Sequence, residues 1–268
     1  MTTAISDVFR RLSSEREGAY IPYVCCGDHG KDFTIELMTR LEVIGSDLIE
    51  LGLPFSDPLA DGPTIQAAMM RSLSSGFKVA HIFDTITEAR GSGMKAPIVV
   101  MSYYNPVVRI GIDEFCSRLS RAGGDAILPV DLPMEESDEL DKAAADNGLD
   151  VIRLIAPSTD EGRAKSILEA TTGFAYAVSV SGVTGERDQL PESAMSLLRR
   201  LRSQSGVPIA LGFGVSNQDH VRAAMHAGAS GVVEGSALIN AYMSAGSDRA
   251  EGIRLAEAHA TEIKNATR

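Results

Sequence analysis

Eight short runs rich in β-branched residues recur along the chain, and most are followed by apolar residues at helical spacing that stop at a glycine. The runs occupy 19–24, 47–51, 98–103, 126–130, 151–155, 174–180, 207–211 and 231–233. Their near-continuous apolar character suits parallel strands covered on both faces. Between them, Phe33, Leu37, Met38, Leu41 and Ile44 make one helical stripe closed by Gly45. Ile65, Ala68, Met69 and Leu73 make another, closed by Gly76, and Val79, Ile82, Phe83 and Ile86 add a helix before the third run. Phe115 and Leu119 run to Gly123, and Leu140, Ala143 and Ala144 run to Gly148. Ser158 with Glu161 reads as a capping box ahead of Ile167 and Leu168. Leu197, Leu198 and Leu201 run to Gly206; Ser216 precedes Val221, Ala224 and Met225, which run to Gly228. Glycine just past the last apolar position is the expected helix stop.

Eight such alternations in about 250 residues are the arithmetic of an α/β fold, a (β/α)8 TIM barrel. Residues 1–268 are read as one barrel domain. An extra N-terminal helix is expected from Ile5, Val8, Phe9 and Leu12, and additional helices after strands two and eight, the last carrying Ile253 and Ile263. A doubly wound open sheet is the competing layout. It would show G-x-G-x-x-G after the first strand, where this chain has C-C-G-D-H-G.

Charge narrows the function. Thirty-six acids against 25 Lys and Arg give a net charge of −11, which repels nucleic-acid phosphates rather than displacing their counterions. The densest basic stretch, L-L-R-R-L-R at 197–202, reads as a solvated helix face over an apolar one. Three cysteines, with Cys25 and Cys26 adjacent, suit a reduced cytoplasmic protein and small buried side chains rather than a disulfide scaffold. No run of 18 apolar residues predicts a membrane span, and the N-terminus does not read as a secretory signal. The five histidines are scattered, with no H-E-x-x-H, and His220 with His226 is not a ligand spacing, so no metal is expected. G-x-S-x-G is absent as well, which leaves serine-hydrolase chemistry without support.

Two acids remain to be explained. In D-L-I-E-L-G-L (47–53), alternation puts Leu48, Glu50 and Gly52 on one side and Ile49, Leu51 and Leu53 on the other. The bulky aliphatics belong under the outer helices, which points Glu50 into the barrel near the C-terminal mouth, where barrel enzymes hold their chemistry. Burial there raises a carboxyl pKa and allows proton exchange near neutrality. The alternative is a structural glutamate paired with a buried arginine. Asp61 lies in P-F-S-D-P-L-A-D-G-P (54–63), and by itself it reads equally as a turn residue before Gly62 or a cap for the helix at Pro63.

The late loops L-G-F-G-V-S-N (211–217) and V-V-E-G-S-A-L (232–238) suit an anion. Glycines let backbone N–H groups approach, and a helix N-terminus adds its dipole. S-G-V-T-G-E (181–186) would add a contact and a lid. Tyr23, Tyr103 and Tyr176 would fill the barrel or line a pocket for a flat aromatic group.

The chain resembles the tryptophan synthase alpha subunit family over essentially its whole length. The most specific match is I-E-L-G-L-P-F-S-D-P-L-A-D-G-P-T-I-Q (49–66), joined in order by Y-I-P-Y-V-C-C-G-D (20–28), S-Y-Y-N-P-V (102–107), S-G-V-T-G (181–185), G-F-G-V (212–215) and G-S-A (235–237). The resemblance implies metal-free and cofactor-free retro-aldol cleavage of indole-3-glycerol phosphate to indole and glyceraldehyde 3-phosphate, in tryptophan biosynthesis. It implies Glu50 as the general acid/base and Asp61 as the acceptor for the indole N–H. Tyr23, Tyr103 and Tyr176 would line the substrate pocket. Gly185, Gly214, Gly235 and Ser236 would hold the phosphate, and Thr184 would belong to a lid that reaches toward Asp61. It also implies a pyridoxal-phosphate beta subunit as partner in an alpha2-beta2 complex, touched by the 54–58 loop. Val180, His29 and Glu234 depart from the family pattern. A different sugar-phosphate barrel enzyme, or a module that mainly activates its partner, are the competing functions.

Overall fold

The computed structural model describes residues 3–179 and 190–268. Its strands are β1 (Ala19–Cys25), β2 (Ile49–Gly52), β3 (Ile98–Ser102), β4 (Ala126–Pro129), β5 (Asp150–Val151), β6 (Arg153–Ile155), β7 (Ala175–Val178), β8 (Ile209–Gly212) and β9 (Gly231–Glu234). All pair in parallel, in the order β5-β4-β3-β2-β1-β9-β8-β7-β6. β5 and β6 are one segment of chain broken at Ile152. Its first half pairs with β4 and its second half with β7. The sheet therefore closes on itself through this fifth staves' length, and the predicted eight-stranded barrel is present. The run expected as one strand at 151–155 is interrupted because its two neighbours bond to successive parts of it.

Twelve α-helices surround the sheet among the described residues. They are α1 (Ala4–Glu15), α2 (Lys31–Val43), α3 (Pro63–Ser74), α4 (Ala80–Gly91), α5 (Tyr104–Ile110), α6 (Ile112–Ala122), α7 (Asp138–Asp146), α8 (Glu161–Ala170), α9 (Glu192–Gln204), α10 (Gln218–Ala227), α11 (Ser236–Met243) and α12 (Arg249–Asn265). The paired helices after β2 and after the last strand were expected. α5 was not, because Pro106 sits inside it; a proline is tolerated in a first helical turn, where its missing N–H costs nothing. The caps also differ in detail. Asp160, not Ser158, accepts the Arg163 N–H at the start of α8, and Asn217, one residue after Ser216, accepts the His220 N–H at the start of α10. Gly123 and Gly228 end their helices in the left-handed conformation that a side chain disfavours.

The register fixes which residues fill the barrel. Tyr23 lies beside Glu50, Glu50 beside Val99, and Leu154 beside Tyr176. α1 packs against the N-terminal end, with the Phe9 ring 5.6 Å from that of Phe174. α12 is held at that end by a buried ion pair, Lys264 Nζ to Asp47 Oδ2 at 2.7 Å. The same Asp47 oxygen accepts the Tyr20 N–H, so neither charge is left bare. Loops and helix starts at the opposite end stay available for chemistry. The three cysteines are buried and unbonded. Among the described residues, no helix is long and apolar enough to cross a membrane.

Candidate active site

Glu50 is 1% exposed and points into the barrel, while Ile49 and Leu51 pack outward under the helices. No basic group among the described residues pairs with it, so the buried-arginine alternative fails. Its Oε2 has no hydrogen-bond partner there. Burial pushes its carboxyl up to about 8, and the nearby Asp61 charge adds to the rise.

Asp61 is buried too, and it caps nothing: the residue at the N-cap of α3 is Gly62, with no side-chain cap. A single phenol holds its loop in place. The Ala60 N–H donates to Tyr103 Oη at 2.9 Å, and Tyr103 Oη donates to Asp61 Oδ2 at 2.7 Å. Phe55 stacks on the same ring, 5.1 Å between centroids. Gln66 Nε2 ties the Asp61 carbonyl to α3 at 2.8 Å. Burial lifts the Asp61 carboxyl to about 6, and the Tyr103 hydrogen bond restrains the rise. Oδ1 remains without a partner among the described residues.

The two acids line one cavity at the C-terminal end of the barrel strands. Tyr23, Ile65 and Met101 complete their wall. Across from them stand Tyr176, Phe213, Gly214, Val215, Val233, Gly235 and Ser236. Gly235 and Ser236 begin α11, whose N-terminus has no side-chain cap, so its first N–H groups are open to an acceptor. Gly214 has φ +87°, and Phe213 before it also lies in the left-handed region, at φ +66°. His220 Nδ1 lies 3.1 Å from the Gly214 carbonyl and so steadies this turn. No Lys or Arg lines the cavity among the described residues.

Tyr23 and Tyr176 reach across the barrel because their neighbours are glycines. A Cβ at Gly52 would collide with the Tyr23 phenol, and one at Gly212 with that of Tyr176. The sequence did carry this signal: both glycines fall at inward positions of strands, where a missing side chain marks a close approach. Tyr103, expected in the pocket lining, turns its hydroxyl onto the loop between Ala60 and Asp61. Thr184, Gly185 and Val180 lie outside the described residues. Glu234, next to Gly235 in sequence, faces away from the cavity: its oxygens meet Tyr20 Oη at 2.7 Å and His259 Nε2 at 2.5 Å. His29, at φ +57°, packs on Phe33 and Tyr242. Sequence reasoning passed over Asp28. It is buried, accepts two hydrogen bonds from Arg71 of α3 and one from Tyr242 of α11, and so joins the helices behind both walls.

The model of the tryptophan synthase alpha chain family matches residues 9–268. The chain belongs to that family. It is 44% identical to the tryptophan synthase alpha chain of Pyrococcus abyssi over 239 residues, covering 89% of this chain and 96% of that one. It is 41% identical to that of Carboxydothermus hydrogenoformans over 260 residues, 97% of each chain. Among solved structures, the alpha subunit from Legionella pneumophila superposes with a TM-score of 0.91 at 29% identity, covering 100% of this chain and 99% of that one. A chain of the tryptophan synthase complex from Pyrococcus furiosus superposes with a TM-score of 0.85 at 38% identity, covering 92% and 98%. Within this tryptophan synthase alpha family frame, the cavity between Glu50, Asp61 and the α11 N-terminus is the candidate active site.

Proposed function

We propose that the chain, acting as one barrel domain, is the alpha subunit of tryptophan synthase, a carbon–carbon lyase that cleaves indole-3-glycerol phosphate to indole and glyceraldehyde 3-phosphate. The observation that carries this reading is that two buried acids face one cavity in unlike surroundings, Asp61 holding a hydrogen bond from Tyr103 and Glu50 Oε2 having no partner among the described residues. Between pH of about 6 and about 8, Glu50 keeps its proton while Asp61 is ionised. Indole is a poor leaving group until its C3 is protonated, and that protonation makes the ring cationic. The reaction therefore needs one carboxylic acid and one carboxylate, held apart by their surroundings.

Glu50 donates its proton to indole C3, and ionised Asp61 accepts the ring N–H and stabilises the cation. The Glu50 carboxylate so formed takes the proton from the hydroxyl on the carbon attached to the ring. That carbon becomes the aldehyde carbon as the C–C bond electrons return to indole. Glu50 ends protonated, as it began, and no co-reactant is needed. Tyr23 and Tyr176 flank the reacting chain, and Tyr103 acts through Asp61. Gly185, Gly214, Gly235 and Ser236 hold the phosphate through backbone N–H groups and the Ser236 hydroxyl, and Thr184 belongs to the closing lid that reaches toward Asp61. This chain carries no cofactor of its own. Its partner is a pyridoxal-phosphate beta subunit in an alpha2-beta2 complex in the cytoplasm. Support for a partner comes from the Pyrococcus furiosus relative, described as an a2b2 complex with mutual activation.

The test is spectroscopic detection of indole released from indole-3-glycerol phosphate, with and without a beta subunit. Wild type releases indole in both, and Glu50→Gln does not while still binding glycerol phosphate. Wild-type rates in that variant would remove Glu50 from the mechanism. Release of no indole by the wild-type complex would remove the lyase reading itself.

A further inference from the structure

Three buried side-chain oxygens on the cavity have no hydrogen-bond partner among the described residues: Glu50 Oε2, Asp61 Oδ1 and Tyr23 Oη. The lyase chemistry uses the first two. It leaves the third unexplained, and a buried hydroxyl without a partner is costly enough to need a reason.

The position of the ring supplies one. Tyr23 Cβ lies 3.5 Å from where a Cβ on Gly235 would stand, at the anion wall. The phenol oxygen fills the space that a Cβ on Gly52 would need, one inward position above Glu50 on the adjoining strand. The ring thus runs from the proposed phosphate end of the cavity across to β2, and its hydroxyl comes to rest over Gly52, two residues on from Glu50. Burial, with Cys25, Asp61 and Glu50 pushing the same way, keeps that phenol protonated and therefore able to donate. Cys25, two residues further along β1, is the neighbouring polar group on its own strand, and a thiol is only a weak partner for a phenol.

Between its phosphate and its indole ring the substrate carries two hydroxyls. The one next to the ring belongs to Glu50. We infer that the Tyr23 phenol donates to the other, the hydroxyl on the central carbon of the glycerol chain, and so selects hydroxylated side chains and sets the torsion that turns the first hydroxyl toward Glu50. This specificity role rests on the lyase reading and adds to it a contact that a phenylalanine would not make. A site built to bond a substrate hydroxyl rejects the analogue that lacks it, because its own polar group is then left unpaired.

The experiment is a cycle of one variant and three ligands on the full chain in complex with a beta subunit. Tyr23→Phe keeps the ring and removes only the oxygen. For indole-3-glycerol phosphate, kcat/KM falls about tenfold, the loss expected of one neutral hydrogen bond of about 1.4 kcal/mol. For the analogue lacking only the central hydroxyl, wild type and variant turn over alike. For 3-(indol-3-yl)propyl phosphate, which has neither hydroxyl, the dissociation constants agree within about twofold. Equal losses for all three ligands would make Tyr23 a wall residue, and an unchanged kcat/KM for the natural chain would leave the phenol without a role; either overturns the assignment alone. No indole from the wild-type complex would overturn the lyase reading and this assignment with it.

Discussion

Two glutamates sit on the strands flanking β1, and their fates differ. Glu50 on β2 and Glu234 at the end of β9 are each 1% exposed. Glu50 faces the barrel interior and keeps an oxygen without a partner among the described residues. Glu234 faces the helices, where a phenol from β1 and an imidazole from α12 meet its two oxygens. Burial alone therefore does not make a reactive acid. What separates the two is the side of the strand they face and whether hydrogen-bond donors wait there.

The largest effect sharpens this contrast. Glu50→Gln lowers kcat for indole release about a thousandfold, within the range of a lost general acid/base, whereas Glu234→Gln leaves kcat within about twofold. Steady-state assays of both variants check it; comparable losses would break the comparison. The stability effects run the other way. Glu234→Ala leaves Tyr20 Oη without this acceptor and removes the His259 contact, at a cost of about 2–3 kcal/mol in denaturant unfolding. Glu50→Gln is stabilising, and its sign follows from the raised carboxyl. The folded state binds that proton more tightly than the unfolded chain, so the contribution of Glu50 is most favourable below its ordinary value of 4.5 and is lost as pH rises toward about 8. The melting temperature of the Gln variant should exceed wild type by a few degrees at pH 9 and by much less near pH 5.

Smaller effects test the surroundings of the pair. Gly52→Ala forces a Cβ into the space of the Tyr23 phenol and costs about 2 kcal/mol of stability; the same change at Gly91, where the backbone is not left-handed and a Cβ meets nothing, is the control. The pH profile of kcat/KM should be a bell with limbs near 6 and 8, from Asp61 ionising and Glu50 losing its proton. Tyr103→Phe removes the bond that restrains the Asp61 carboxyl, so the acidic limb moves up while the basic limb moves less. A profile unmoved by that variant would separate Tyr103 from Asp61.

Much of this was readable from residue order. The β-rich runs and glycine stops gave the barrel because strand and helix periodicities are local properties of the chain. Glu50 was readable for the same reason: a period of two fixes its side once its neighbours are assigned. The 49–66 signature carried Asp61, which local chemistry alone left as a turn residue or a cap. α5 escaped notice because Pro106 looks like a break until its place in the first turn is known. The break at Ile152 was invisible, since it reflects which strands lie on either side.

The order of residues determined that a closed parallel sheet would form and that one acid would point inward near its mouth. It did not determine who meets each acid, because hydrogen-bond donors come from distant parts of the chain. Tyr103 reaches Asp61 from 42 residues away, and Tyr20 reaches Glu234 from 214. Those encounters, and the glycines that let Tyr23 and Tyr176 cross the barrel, exist only once the sheet has closed. The tertiary structure thus decided which buried carboxylate kept an oxygen facing the cavity without a partner among the described residues.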